Sequence, residues 1–276
     1  MKIKTNYHTH IYLCRHAVGN VEDYVNRAIE LGYSELGISD HCPFPDSLVK
    51  AIYSRRMTID EYHKIYLPSL EENILKYSDQ IKIYKALETE YLDEMKEMYP
   101  ELLQKLDYLI LGQHFFKYHG KFISVYSQLS GEMVRAYADA VCEAMDSGFF
   151  KILAHPDIFC WGYPFWDDVC VEVSNRIIAC AIKNNVILEI NVNGIRNCEH
   201  SYRYTTHPTN NPKKIDHHYA YPNYDFFKIV AESNSLVVIN DDAHDPNHLH
   251  DEYTLQAFEF AEKLKIKVIE SIDFTK

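Results

Sequence analysis

The chain is short of positive charge. Its 276 residues carry 28 Lys and Arg against 40 Asp and Glu, a net charge of −12 with His neutral. General binding to a nucleic-acid backbone needs clustered cations and is not expected, although a local basic pocket is compatible with this balance. Cysteines are few and poorly spaced for pairing. The seven, at 14, 42, 142, 160, 170, 180 and 198, are odd in number and form no CxxC. Neither a disulfide framework nor a thiolate zinc finger is expected. The opening MKIKTNYHTH lacks the apolar core of a signal peptide. Apolar runs such as Tyr108–Leu111 are too short to span a bilayer. The expectation is a soluble protein of the cytoplasm. No Walker P-loop, GxSxG elbow or GxGxxG fingerprint occurs, and no Cys-x5-Arg phosphatase loop is expected.

What is present is an ordinary globular composition, 47% hydrophobic and 25% charged, with 22 tyrosines and 15 histidines. The length suits an α/β barrel. A short β-rich run followed by a helical stretch recurs along the chain. The runs are 2–7, 35–39, 82–87, 108–111, 151–154, 186–190 and 236–239, mostly Ile, Val, Leu and Tyr as in buried parallel strands. Between them, Asn20 reads as an N-cap and Gly32 as a helix stop. Thr58-x-x-Glu61 is a capping-box pattern for a helix reaching about Tyr77. Met133, Val134, Tyr137, Ala138, Val141 and Met145 recur at helical spacing, as a core face does. Segments 168–184, 224–232 and 248–265 complete the helices. Such alternation implies a parallel sheet, open or closed into a barrel. Residues 197–223 break the rhythm and read as a polar rim insertion in one domain spanning 1–276.

The strand ends carry the chemistry. They read Tyr7-His8-Thr9-His10, Ser39-Asp40-His41, Glu88-Thr89-Glu90, Gly112-Gln113-His114, Ala154-His155-Pro156-Asp157 and Asp241-Asp242-Ala243-His244. Another ends Glu189-Ile190-Asn191, with Gly194 and Arg196 beyond. In parallel α/β folds these ends share one face, where active sites are built. Residues i and i+2 of a strand point the same way, so His8 and His10 can grip one ion, as can Asp242 and His244. One histidine at a strand end is usually structural; recurrence at five strand ends points to a metal site. Imidazoles and carboxylates without a thiolate suit zinc, iron or manganese.

These motifs, in this order, resemble the PHP (polymerase and histidinol phosphatase) superfamily. His16, His41-Cys42-Pro43, Arg56-Met57, Asn191-x-Asn-Gly-x-Arg196 and Tyr221-Pro222 resemble its histidinol-phosphatase branch. The resemblance covers nearly the whole chain. It implies a distorted seven-stranded (βα)7 TIM-like barrel with three divalent metal ions at the C-terminal strand ends. By motif, the first ion takes His8, His10, Glu88 and Asp242. The second shares Glu88 and adds His114 and His155. The third takes His16, His41 and His244.

The implied activity is a metal-dependent phosphomonoesterase. Two ions about 3.5–4 Å apart would hold a bridging hydroxide that attacks phosphorus. The implied reaction converts L-histidinol phosphate and water to L-histidinol and phosphate, in histidine biosynthesis. Arg196 is the candidate for a phosphate or transition-state contact, with Arg56 as a weaker one. Asp242 is a candidate proton carrier. Glu90 and Asp157 are candidates for the cationic end of that substrate. One departure stands out: the branch often has a basic residue where this chain has Cys160. His200, Arg203, His207, Lys213, Lys214, His217 and His218 of the insertion are placed to replace that charge or to be merely solvated. The alternatives are a PHP phosphoesterase for another small phosphomonoester or a nucleotide, and a non-catalytic metal-binding PHP domain. No nucleic-acid or membrane partner is expected.

Overall fold

The computed structural model describes residues 5–205 and 219–275. Their strands are β1 (Thr5–Asn6), β2 (Glu35–Ile38), β3 (Lys82–Thr89), β4 (Tyr108–Leu111), β5 (Phe115–Tyr118), β6 (Lys121–Ser124), β7 (Ile152–Leu153), β8 (Ile187–Asn191) and β9 (Val237–Asn240). Seven of them form one parallel sheet in the order β1-β2-β3-β4-β7-β8-β9. They fall at the seven runs read from the sequence. Helices cover the outside and side chains fill the inside, so these strands are apolar on both faces.

The sheet curls into a nearly closed, distorted barrel. Beyond the ends of β1 and β9 the chain pairs again, Thr9 with Ala243, as a parallel bridge. The His10 N–H donates to the Ala243 carbonyl at 2.8 Å, and the Ala243 N–H to the His8 carbonyl at 3.3 Å. Closure is therefore made at the rim that carries His8, His10, Asp242 and His244. Tyr7, Tyr84, Ala86, Tyr108, Ile110, Ile152, Ala154, Ile187 and Val238 pack as one buried cluster inside. Phe274 seals the opposite end, stacked on Tyr108 with ring centroids 4.0 Å apart.

Local signals place the outer helices. The Asn20 side chain accepts the Asp23 N–H, and Gly32 ends helix Val21–Leu31 in the left-handed conformation. Thr58 and Glu61 form the expected capping box. The helix it opens reaches Lys76, but with a π-turn at Tyr62–Tyr66. Pro68 has no N–H to offer the carbonyl four residues back, which accounts for the local widening.

Three expectations need correction. The insertion does not begin at 197, because helix Val192–Ser201 runs through that point. Asn191 starts it by accepting the Gly194 N–H at 2.8 Å. Tyr204 and Tyr219 pair as an antiparallel bridge, and His207, Lys213, Lys214, His217 and His218 lie outside the described residues. The segment at 248–265 is helical only over Glu252–Lys263, since Asp251 caps it, and His248 sits on a separate 3-10 turn. A Cys-x5-Arg spacing does occur, from Cys170 to Arg176. Both residues lie within helix Asp168–Asn184, so they form no phosphate loop. Finally, β5 and β6 make a hairpin that the strand–helix rhythm does not reveal. All seven cysteines are free thiols. Among the described residues, no helix is long and apolar enough to cross a membrane.

Candidate metal centre

Strand parity delivers the central carboxylate. Tyr84 and Ala86 of β3 point into the barrel, so Glu88, two residues on, does the same at its rim. The neighbouring strand makes room for it. A Cβ on Gly112 would stand 2.0 Å from Glu88 Oε1. Imidazoles from other strand ends then close on Glu88. His155 Nε2 is 3.0 Å from Oε1, and His41 Nδ1 is 3.0 Å from Oε2. His8 Nε2 and His10 Nε2 are each 3.5 Å from Oε2, and His114 Nε2 is 3.7 Å from Oε1. Asp242 Oδ1 lies 2.9 Å from His10 Nε2. His16 and His244 meet at the outer side, their rings tilted and their centroids 5.0 Å apart. His155 and Asp242 both hold left-handed backbone, at φ +33° and +46°. Such strain costs about 1–3 kcal/mol and collects at functional sites.

The electrostatics are lopsided. Burial alone would lower the His8 imidazole, but the carboxylates of Asp242, Glu189 and Glu88 outweigh it and hold it well above its ordinary range. The same contest, with the Asp242 and Asp40 carboxylates beside the ring, raises His10 to about 9. Burial and the charge on His10 push His41 well down and His244 down to about 3. Burial would raise Glu88, yet His114, His8, His41 and His155 hold it well below the usual carboxylate range. The carboxylates thus favour positive charge on His8 and His10 at the cluster's centre and on His114, while His41 and His244 are pushed the other way.

This donor set fits divalent ions. His8 Nε2 and His10 Nε2 face each other at 3.1 Å, a distance at which two lone pairs must share a proton or a cation. Asp242 Oδ1 is buried with no aligned hydrogen bond. His8, His10 and Glu88 place their ligand atoms within 4.8 Å of one another; so do His41, Glu88 and His114, and His10, His41 and His244. His41 therefore stands between two groups rather than in the outer one alone. Cys14 also falls within that distance of His16 and His244, so a thiol is present where none is expected.

A cavity of about 410 Å³ opens over the cluster. His16, His41, Glu88, His114, His155, Asp242 and His244 line it, while His8 and His10 lie buried beneath. Arg196 also lines it. Its Nη2 is 2.6 Å from Asp251 Oδ2, its Nη1 donates to Asn193 Oδ1 at 3.1 Å, and its Nε is buried without a partner.

Arg56 and Glu90 are placed differently from expectation. Neither lines the cavity. They hold each other through two contacts of 3.1 and 3.2 Å, and Arg56 also donates to the Cys42 carbonyl and stacks on Phe44. Glu90 Oε1 also lies 3.2 Å from His114 Nδ1, so both charges face each other and that ring. Asp157 is likewise buried, accepting the Asn223 N–H.

Further residues hold the ligand candidates in place or complete the cavity wall. Glu189 lies inside β8, unexposed, with Oε1 2.8 Å from His8 Nδ1. Asp40 Oδ1 is 3.3 Å from His10 Nδ1. Tyr126 reaches the cavity just after the hairpin, His200 lines it from helix Val192–Ser201, and His248 from the 3-10 turn beyond β9. The hairpin had a signal: His119-Gly120 takes positive φ at both residues, the geometry of a type I′ turn.

Comparison with known proteins agrees with this geometry. A family model described as the PHP domain matches residues 6–193. A protein of Deinococcus radiodurans named "probable histidinol-phosphatase" is 24% identical over 266 residues, covering 94% of this chain and 90% of its own length. One of the same name from Schizosaccharomyces pombe is 24% identical over 268 residues, with 88% and 80% covered. The crystal structure of histidinol phosphate phosphatase from Lactococcus lactis subsp. lactis, complexed with zinc, L-histidinol and phosphate, matches with a TM-score of 0.68. It is 15% identical, and the match covers 97% of this chain and 95% of that one.

Proposed function

This chain belongs to the PHP-domain family, and from that premise we propose that it is a metal-dependent phosphomonoesterase that converts L-histidinol phosphate and water to L-histidinol and phosphate. The observation that carries the reading is the meeting of imidazoles from separate strand ends on Glu88, under a cavity whose wall also bears Arg196. The substrate is supported by the names of the relatives and by the ligands of the Lactococcus enzyme.

His8, His10, Glu88 and Asp242 would hold one divalent ion, Glu88 with His114 and His155 a second, and His16, His41 and His244 a third. Zinc, manganese and iron all suit these donors. Bound there, such ions activate water at neutral pH and offset the charge of a phosphoryl group. The chain's own residues supply the rest. Arg196 offers a guanidinium to phosphate oxygens, held in place by Asp251 and Asn193. Asp242 can take the proton of the attacking water at Oδ1 and return it to the leaving oxygen. Glu189, Asp40 and Glu90 orient His8, His10 and His114 through the ring nitrogen that faces away from the cluster.

A second reading, another small phosphomonoester, is favoured by one observation. Among the described residues the carboxylates on the cavity wall are Glu88 and Asp242, and imidazoles engage both. An ammonium group therefore meets no free carboxylate there. The deciding experiment pairs metal analysis of the purified protein with phosphate release from a panel of small phosphomonoesters. Bound divalent metal and fastest turnover of L-histidinol phosphate are expected. Turnover of other esters alone would remove the substrate and leave the chemistry. Absence of both metal and turnover would remove the enzyme.

A further inference from the structure

A thiol stands among the outer imidazoles. Cys14 ends the 3-10 turn Tyr12–Cys14, two residues before His16. The turn is held by the Cys14 N–H, which donates to the Ile11 carbonyl at 3.2 Å, and by the Arg15 N–H, which donates to the Tyr12 carbonyl at 3.1 Å. The same loop is tied to the strand end across the barrel seam, where the Val18 N–H donates to the His244 carbonyl at 2.9 Å. Cys14 and His16 are thereby brought to His244. One ligand atom from each of the three lies within 4.8 Å of the others. His16 and His244 line the cavity, which gives an ion its way in, and Cys14 is buried.

Both imidazoles are already oriented. His16 Nδ1 is 2.7 Å from the Cys14 carbonyl, and His244 Nδ1 is 3.0 Å from the Asp242 carbonyl. A carbonyl only accepts, so in each ring Nδ1 carries the proton and Nε2 keeps the lone pair. Two such rings and a sulfur make a donor set of their own, with no carboxylate in it. The spacing suits one tetrahedral ion. Zinc bonds of about 2.3 Å to sulfur and about 2.0–2.1 Å to nitrogen put those donors roughly 3.6 Å apart.

We infer that Cys14 is a ligand of the outer ion, its Sγ binding as a thiolate beside His16 and His244. The inference rests on the metal-centre reading above and adds the donor that selects which ion sits there. As the metal–sulfur bond forms, the S–H bond breaks and its proton passes to water. A thiolate is a soft donor, so this position prefers zinc or cobalt(II) to manganese or magnesium. The positions on Glu88 offer imidazole and carboxylate alone and discriminate less. Cys14 also shares a group with His10 and Asp40. A thiol that merely faces Asp40 is the alternative that the test separates.

The test loads the full chain with cobalt(II) and records its absorption. Charge transfer from thiolate to cobalt absorbs in the near ultraviolet, and imidazole or carboxylate donors give no such band. In wild type the band should grow with the filling of a single ion per chain. Cys14→Ser should abolish it with the fold intact by circular dichroism. Cys42→Ser removes a thiol that faces the Pro43 carbonyl, and should retain the band. In competition against a chromophoric chelator, Cys14→Ser should weaken the outer zinc ion about 100-fold and alter manganese binding far less. X-ray absorption of the zinc-loaded wild type needs no variant. It should show sulfur at about 2.3 Å beside nitrogen and oxygen at about 2.0–2.2 Å. Metal-loaded wild type with neither band nor sulfur neighbour, or a band that survives Cys14→Ser, would overturn the inference. The band without phosphate release from any ester would uphold it and remove the proposed function. A wild type that binds no divalent ion would remove both.

Discussion

His8 donates its Nδ1–H to Glu189 Oε1 at 2.8 Å, beneath the cavity, where neither side chain is exposed. The same carboxylate accepts from Asn240 at 2.9 Å, from Asn191 at 2.7 Å and from the His155 backbone N–H at 3.2 Å. One buried anion thus fixes a ring just beyond the first strand and the backbone of a residue after the fifth parallel strand. Outer carboxylates of this kind set the orientation and basicity of a ligating imidazole. Glu189→Gln should weaken metal binding about 10–100-fold while the protein still unfolds cooperatively. Competition against a chromophoric chelator measures this, and wild-type affinity would remove the role.

That relationship shows where sequence reading succeeds and where it stops. The seven strands are legible because each is buried on both faces and reads as a short apolar run. The ligand candidates are legible because parallel topology brings strand ends together wherever they lie in the chain. Glu189 is visible near a strand end, but nothing local says that it faces the His8 ring and not the helices outside. The Arg56–Glu90 pair is invisible for another reason. Nothing local ties residues 34 apart, so each looks like a free charge available to a substrate.

Glu88 is the residue on which the cluster depends most. Its two oxygens meet His155, His41, His8, His10 and His114. Glu88→Gln keeps the shape and removes the charge that balances the imidazoles. Metal content should fall by at least one ion per chain, and phosphate release by about 100-fold or more. Elemental analysis on the same sample as the rate assay checks both. Unchanged content and rate would contradict the assignment of Glu88 as a shared ligand.

The same carboxylate can be disturbed without touching any ligand. Gly112→Ala adds a methyl group where Glu88 now stands, 2.0 Å from Oε1. Either the carboxylate or β4 must shift. Overpacking of this kind costs about 1–3 kcal/mol. The variant should melt earlier and should also bind less metal. A lower melting temperature with full metal content would mean that the strand moves and Glu88 does not.

Arg196 and Asp251 form a nearly buried pair, and Asp251 also caps helix Glu252–Lys263 by accepting the Tyr253 and Thr254 N–H groups. The two roles separate by substitution. Asp251→Asn retains a capping oxygen and removes the charge, so helix stability should change little. Arg196→Ala strands the carboxylate and removes the proposed phosphate contact. It should destabilise the fold by about 2 kcal/mol and raise KM for a phosphomonoester about tenfold or more. Denaturant titration and steady-state kinetics together distinguish the effects. An unchanged KM would leave Arg196 with a structural role only.

Asp157 gives a pH dependence whose sign is fixed by its surroundings. Burial raises its carboxyl from 3.8 to about 8, against the opposing hydrogen bond from the Asn223 N–H. Between those values the unfolded chain has released the proton while the folded protein keeps it. The unfolded state binds fewer protons, so this group makes stability fall as pH rises through that window. Asp157→Asn does not titrate and keeps an oxygen for the Asn223 N–H. Its stability relative to wild type should therefore grow steadily from about pH 4 to pH 8. Urea denaturation of both proteins, freed of metal by a chelator, measures that difference at several pH values. Other groups titrate in the same range, but they are common to both proteins and largely cancel. A difference independent of pH would show that Asp157 is already ionised when folded, with a cation or water beside it.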